Sequence, residues 1–206
     1  MSLMEKPSKK VINILIASVG GQGGLTLSRA IAIAAVMKGY SVKTGESLGM
    51  AQRFGSVVSY VRIGKEVRAP IFGVGDADYL IGLELTETVR NMQYLRQGGL
   101  AVVSDELKPP LSASLGLARS LSREELIGDL KNNLKNLVLV PAKELAIKAG
   151  NPRAANMVLL GVFNELTKLI DDASIKAAIM MLLPGRRGES SVQAFELGKE
   201  WVKSIK

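Results

Sequence analysis

The chain has 206 residues, of which 47% are hydrophobic, and a formal net charge of +8. This length suits one domain with a sizeable core, and no apolar run approaches the ~20 residues of a membrane-spanning helix. The sequence contains no cysteine and no histidine, which excludes disulfides, thiolate metal sites and histidine-dependent nucleophiles within the chain. Redox or acyl chemistry would therefore need a cofactor or another subunit.

The positive charge favours acidic partners. Aromatic residues make up only 4% of the chain, too few to stack single-stranded nucleic acid, and the basic residues are scattered. We therefore expect no nucleic-acid partner, no membrane association and a cytoplasmic location. The polar residues 1–10 are interpreted as a flexible tail or a cloning scar, and residues 11–206 as a single α/β domain.

Residues 11–24, VINILIASVGGQGG, join a strand pattern directly to a glycine-rich turn. The apolar run 11–17 is typical of a strand covered on both faces. The glycines at 20, 21, 23 and 24 permit a sharp turn, and an apolar helix is predicted at 25–38. A strand, a glycine turn and a helix N-terminus in this order form a site suited to a phosphate or carboxylate.

The match to the dinucleotide-binding fingerprint G-x-G-x-x-G is incomplete. Ser18 occupies the first glycine position, while Gly20 and Gly23 fit. Glu46 lies at about the distance along the chain expected for an acidic ribose contact. Two interpretations stay open: a dinucleotide site, or a tight turn whose glycines only let helix and strand pack closely.

The remaining elements alternate between strand and helix patterns until the C-terminal third, which is helical. We predict further strands at 40–44, 79–83, 100–104 and 137–140, a hairpin of 56–64 with 67–71, and a loop at 45–55. Three predicted helices begin at an N-cap residue. The first follows Thr86 and extends to residue 96, where Gly98 and Gly99 end it; the second follows Ser122, which forms a capping box with Glu125; the third follows Asn151 and extends to residue 170. Two further helices are predicted at 174–183 and 192–204.

This order predicts an α/β fold with an open, mostly parallel sheet, a Rossmann-like start, an inserted β-ribbon and a helical C-terminal third. Ligands of such sheets bind outside the carboxyl ends of the strands. The glycine turn, Glu46 and Glu84 each follow a predicted strand, so we expect them to line one edge.

The loop within ESLGMAQRFGSVVS (46–59) is too polar and glycine-rich to be explained by packing. Arg53 could form a bidentate contact with a carboxylate or phosphate, and Gln52 offers amide donors beside it. The alternative is an interface loop in which Arg53 pairs with Glu46 or Glu84.

Three segments together resemble one family: GGQG after the first strand, GESLGMAQRFGSVVSYVRIG, and APIFGVGDADYLIGLE followed by ETVR. They are similar to the gamma-type subunit of 2-oxoacid:ferredoxin oxidoreductases, most of all to the small (beta) subunit of the indolepyruvate type. The likeness runs from about residue 11 to 110 and continues more weakly through AIKAGNPRAANMVLLGVF and AFELG. Departures from the family pattern are Ser18 and Phe54, where glycine is usual; Phe54 could narrow or redirect the loop.

The resemblance implies a subunit of an enzyme that oxidatively decarboxylates a 2-oxoacid, such as indolepyruvate or pyruvate, to acyl-CoA and reduces ferredoxin. Thiamine diphosphate and iron–sulfur clusters would sit on a larger partner subunit, and coenzyme A would be the co-substrate. This chain would bind none of these cofactors alone and would hold no catalytic residue. The residues implied to face the coenzyme or the partner's active site are Gly20, Gly21, Gln22, Gly23, Gly49, Met50, Gln52 and Arg53, with Glu46 and Glu84 orienting them.

Two other functional classes stay open. A stand-alone nucleotide- or dinucleotide-binding protein would use the glycine turn and Glu46 and bind its ligand as an isolated chain. A structural scaffold would use the loop 45–55 for assembly alone. When isolated from its partner, the chain could form a homodimer.

Overall fold

The computed structural model describes residues 11–49, 55–108 and 121–205. Its strands are β1 Val11–Val19, β2 Ser41–Leu48, β3 Ser56–Gly64, β4 Ala77–Gly82, β5 Leu95–Ser104 and β6 Asn136–Val140. Its α-helices are α1 Gly24–Met37, α2 Leu85–Asn91, α3 Arg123–Asn133, α4 Ala142–Lys148, α5 Ala155–Thr167, α6 Asp172–Leu182 and α7 Arg186–Ser204. In these ranges no helix is both long enough and apolar enough to span a membrane.

The six strands form one sheet in the order β2-β3-β1-β4-β5-β6. β1, β4, β5 and β6 pair in parallel, whereas β3 is antiparallel to both β1 and β2. β3 alone therefore runs against the direction of the other described strands. The prediction of a mostly parallel α/β sheet is confirmed.

Both faces of the sheet are covered, as the apolar run of β1 predicts. Ile14 and Ile16 of β1 belong to a core with α1 and the C-terminal helices, while Leu15 and Ala17 belong to a second core with α2 and α3. Alternate residues of a strand point to opposite faces, so β1 is buried on both sides. The helical C-terminal third is also confirmed.

The inserted ribbon exists but is built from other residues than predicted. β2 extends to Leu48, so residues 45–48 of the predicted loop are strand, and β3 pairs with β2 and β1. The predicted hairpin with 67–71 is wrong, because that segment is not a strand; Pro70 instead lies against Gly45 of β2. The ladder between β2 and β3 thus takes the place of that hairpin.

The predicted start and end of the second helix are also wrong. Glu84, not Thr86, is the N-cap of α2, and its side chain accepts a hydrogen bond from the Glu87 amide. The helix ends at Asn91, and Gly98 and Gly99 lie inside β5. The capping box of Ser122 and Glu125 is confirmed at the start of α3.

A buried lysine joins the last two helices. Lys199 of α7 is 7% exposed and donates hydrogen bonds to Asp172, the first residue of α6, and to Glu196. Burial lowers the pKa of Lys199, but the bonds to the two carboxylates outweigh it and raise that pKa above its usual value. Burial raises the pKa values of Asp172 and Glu196, but hydrogen bonds outweigh it and lower both. Lys199 donates to both carboxylates, and Lys176 donates to Glu196 as well.

We expect Lys199→Met to lower the free energy of unfolding by about 1–3 kcal/mol at pH 7, since it leaves two carboxylates without a shared cation. The lowered pKa values of Asp172 and Glu196 mean that this stabilisation is lost as pH falls through them. Urea unfolding at pH 7 and near pH 3 should therefore show a smaller difference from wild type at the lower pH. Lys203→Met, which removes an exposed ammonium 3.7 Å from Glu165, is the control and should cost less than about 1 kcal/mol. A Lys199→Met deficit that is equal at both pH values would contradict the assignment.

Candidate functional site

The glycine turn connects the carboxyl end of β1 to α1. Gly21 and Gly23 have φ values of 91° and 83°, a region that favours glycine. Gly23 is the N-cap of α1 and offers no side-chain cap, and the first turn of the helix carries no acidic residue. The first intrahelical bond runs from the Leu27 amide to the Gly23 carbonyl, so earlier N–H groups of α1 lack an intrahelical partner. This helix end is suited to an anion.

Gln22 fixes the turn to the neighbouring strand ends. Its side-chain oxygen accepts from the Val19 amide at 2.8 Å, and its Nε2 donates to the Leu83 carbonyl at 3.2 Å. Nε2 also lies 3.4 Å from Oε2 of Glu106, which follows β5. The amide of Gln22 thus links the last residue of β1 to the segments that follow β4 and β5.

Asn156 of α5 fixes the turn from the other side. Its Nδ2 donates to the Gly23 carbonyl at 3.0 Å, and its Oδ1 accepts from the Met157 amide at 3.0 Å. Asn156 is 6% exposed. This partly buried hydrogen bond, between residues 133 positions apart in the sequence, holds α5 against the turn.

A groove with two lobes opens at this edge of the sheet. Lobe A is about 290 Å³, and lobe B is about 270 Å³. The two lobes share Gly21, Gln22, Arg153 and Asn156. Lobe A is completed by Leu83, Ser104, Glu106, Lys108, Lys143, Pro152, Ala155 and Leu159. Lobe B is completed by Gly23, Thr26, Asn151, Leu183, Arg187 and Ser191.

The lining of the groove is cationic. Lys108, Lys143 and Arg153 line lobe A, and Arg187 lines lobe B beside the shared Arg153. Glu106 is the acidic residue among those that line the lobes, and its carboxylate lies 3.7 Å from the Lys108 ammonium. Together with the N-terminus of α1, these side chains give the groove a positive potential suited to phosphate groups.

Glu84, predicted to orient the binding residues, is fully buried below the groove. One carboxylate oxygen accepts from the Glu87 amide at 2.8 Å, and the other accepts from the Lys108 amide at 3.1 Å. The side chain thereby holds the start of α2 against the segment that follows β5. Through the Lys108 backbone it supports a residue that lines lobe A.

Glu46 lies on the exposed edge strand β2, opposite Ser59 of β3, which in turn pairs with Ile16 of β1. Two strand spacings, roughly 9–10 Å, therefore separate Glu46 from β1. In the Rossmann arrangement no antiparallel strand intervenes between the turn and the acidic residue. The structure does not bring Glu46 and the glycine turn together.

Met50, Gln52, Arg53 and Phe54 lie outside the described residues. The chain on either side of them is held by backbone hydrogen bonds. The Gly49 amide donates to the Ser56 carbonyl, and the Gly20 amide donates to the Gly55 carbonyl, each at 2.8 Å. The second bond joins the end of this loop to the start of the glycine turn.

The cations of the groove escaped the sequence analysis, because they come from separate segments. Arg153 and Asn156 follow the predicted cap at Asn151, whose side chain accepts from the Arg153 amide at 3.1 Å. The capping signal in GNPRAAN was the available clue to their position. Nothing in the sequence connects Lys143 or Arg187 to the turn. Across the ranges that the structure describes, no cluster of three acidic side chains could hold a metal ion.

Comparison with known proteins gives concordant results. The family model described as pyruvate ferredoxin/flavodoxin oxidoreductase matches residues 13–201. The chain is 36% identical over 198 residues to indolepyruvate oxidoreductase subunit IorB of Pyrococcus horikoshii, covering 95% of this chain and 98% of that protein.

Solved structures share the fold. The gamma subunit of keto/oxoacid ferredoxin oxidoreductase from Geobacter sulfurreducens aligns with a TM-score of 0.70 at 22% identity, covering 94% of this chain and 99% of that one. The 2-oxoglutarate:ferredoxin oxidoreductase from Magnetococcus marinus, solved with 2-oxoglutarate, coenzyme A and succinyl-CoA, aligns with a TM-score of 0.72 at 20% identity. That alignment covers 97% of this chain and 32% of the longer one.

Proposed function

The chain belongs to the pyruvate ferredoxin/flavodoxin oxidoreductase family, and from that premise we propose that its groove binds coenzyme A for a partner subunit's reaction. It is the small subunit of a 2-oxoacid:ferredoxin oxidoreductase. The observation that carries the proposal is the cationic groove in front of the uncapped N-terminus of α1. Coenzyme A carries a diphosphate and a phosphomonoester, and both match this potential.

The composition fits the division of chemistry between subunits that we propose from the family. Iron–sulfur clusters need cysteine thiolates, and this chain has none. From the family we assign thiamine diphosphate and the clusters to a larger partner subunit, ferredoxin to the complex as its electron acceptor, and the complex to the cytoplasm. This chain's own residues bind and orient the coenzyme and help exclude water at the subunit interface.

The loop that contains Met50, Gln52 and Arg53 is proposed to complete the site. Its support is the hydrogen bond from the Gly20 amide, at the start of the glycine turn, to the Gly55 carbonyl. Arg53 would then add a further guanidinium for a phosphate or for the substrate carboxylate.

A stand-alone dinucleotide-binding protein is not favoured, since β3 separates Glu46 from the turn. For the substrate we propose an arylpyruvate such as indolepyruvate first, because the relative at 36% identity is named for that reaction.

Mild anaerobic purification of this chain from the native host tests whether it assembles with a partner subunit. A stoichiometric partner carrying iron–sulfur clusters and thiamine diphosphate supports it, and a chain that elutes alone overturns it.

Arg153→Gln in the assembled complex is expected to raise the KM for coenzyme A about tenfold, which is the loss of roughly one charged hydrogen bond. Arg153 is shared by both lobes and is exposed to the groove. Steady-state rates with varied coenzyme A measure the effect. The matched control is Arg68→Gln, because Arg68 is 88% exposed and pairs with Glu66, away from the groove. Equal KM values for the two variants would contradict coenzyme binding in this groove.

A further inference from the structure

Each lobe of the groove is small for a whole cofactor. Their volumes, about 290 and 270 Å³, lie just below the ~300 Å³ at which ligand pockets usually begin. Both lobes open on the same junction at Gly21, Gln22, Arg153 and Asn156. A ligand as long as coenzyme A can therefore extend from one lobe into the other through the junction.

Lobe B is built for a compact anion. It lies between the first turns of two helices, with Thr26 in the first turn of α1 and Arg187 as the second residue of α7. Gly185, the N-cap of α7, offers no side-chain cap. Ser191 adds a hydroxyl-bearing residue that is 3% exposed. Among the described residues lining lobe B none is acidic.

Lobe A has a different character. Its two lysines, Lys108 and Lys143, accompany the acidic Glu106, and Leu83 and Leu159 contribute apolar surface. The shared guanidinium at the junction reaches both lobes. Lobe A therefore suits a longer segment with spread-out charge, whereas lobe B suits one doubly charged group.

We propose that lobe B is a phosphomonoester subsite, which takes the 3′-phosphate of coenzyme A while lobe A takes the diphosphate. This proposal rests on the proposed function. The two groups are attached to C3′ and C5′ of one ribose, so a ribose at the junction presents one of them to each lobe. Arg187 is the residue that determines the preference for the 3′-phosphorylated coenzyme.

The test compares coenzyme A with dephospho-coenzyme A, which lacks only the 3′-phosphate, in the assembled complex. In wild type, kcat/KM should be at least about tenfold higher for coenzyme A, the worth of one charge-assisted contact. Arg187→Gln should lower kcat/KM for coenzyme A about tenfold and change that for dephospho-coenzyme A less than about twofold. Arg187→Lys should recover part of the preference, because it keeps the charge.

Arg186→Gln is the matched control, since Arg186 is the neighbouring residue of α7 but does not line lobe B; it should leave the preference intact. Equal losses with both coenzymes in Arg187→Gln, or no loss with either, would overturn the subsite. These outcomes are separate from failure of the proposed function. If the groove did not bind coenzyme A at all, Arg153→Gln would leave the KM values for coenzyme A and dephospho-coenzyme A unchanged.

Discussion

Gly161→Ala is expected to lower the free energy of unfolding by about 3 kcal/mol or more, at the upper end for overpacked cores. A Cβ at Gly161 of α5 would lie 2.0 Å from the carbonyl oxygen of Phe195 and 3.2 Å from the backbone nitrogen of Lys199, both in α7. The approach is reciprocal, because a Cβ at Gly198 would lie 2.2 Å from the Val158 carbonyl oxygen. Backbone atoms of two packed helices cannot turn aside as a side chain can, so the helices must separate.

Urea unfolding of two matched Gly→Ala variants measures this effect. Gly128 lies in α3, where an added Cβ would meet no atom of another described segment within 4 Å. Gly128→Ala should therefore stabilise the chain by about 0.5–1 kcal/mol through helix propensity alone. The two substitutions are chemically identical and differ only in the space around them. A Gly161→Ala midpoint at or above that of wild type would show that α5 and α7 pack differently.

The elements that the sequence predicted correctly are those whose own residues carry the signal. β1 is a continuous apolar run, and α1 begins a few residues after it. The capping box of Ser122 and Glu125 lies within four residues. In each case local preference and tertiary environment agree, as expected for a consistent fold.

The predictions of secondary structure are wrong where contacts with distant parts of the chain determine the local conformation. Residues 45–48 contain a glycine and exposed polar residues, yet they are strand because β3 supplies a hydrogen-bonding partner. The segment 67–71 is held instead by the Arg62 guanidinium, which donates to the Ala69 carbonyl at 3.0 Å. Glu84 caps α2, although threonine, as at residue 86, is a type preferred at N-caps. Propensity is a weak guide when pairing or a buried contact competes.

The residues of the candidate site also fall into a group that the sequence predicts and a group that it does not. The glycine turn was predictable, because strand, turn and helix are adjacent in sequence. Arg153, Asn156 and Arg187 reach it only after the chain has crossed the whole sheet and turned back over it through α5 and α7. Their convergence depends on helix packing, and no short motif encodes that.

Gly23→Ala is expected to lower stability by about 2–4 kcal/mol, because two costs combine there. An alanine at φ 83° is strained, at about 1–3 kcal/mol. Its Cβ would also lie 2.5 Å from Nδ2 of Asn156, the atom that donates to the Gly23 carbonyl. To avoid that Cβ, the Asn156 amide must turn aside and give up its hydrogen bond to the Gly23 carbonyl, the contact that holds the start of α5 against the turn. We therefore also expect the KM for coenzyme A in the assembled complex to rise at least about tenfold.

Two further variants separate the cost of backbone strain at positive φ from the cost of the clash with Asn156. Gly21→Ala has a similar strain at φ 91°, but its Cβ would meet no described atom within 4 Å, so urea unfolding should show only about 1–3 kcal/mol of destabilisation. Asn156→Ala combined with Gly23→Ala removes the collision and should be less destabilised than the sum of the two single variants. Additive effects would mean that the turn and α5 are not coupled through this amide. In that case the groove would owe its shape to the strand ends that Gln22 ties together, and not to Asn156.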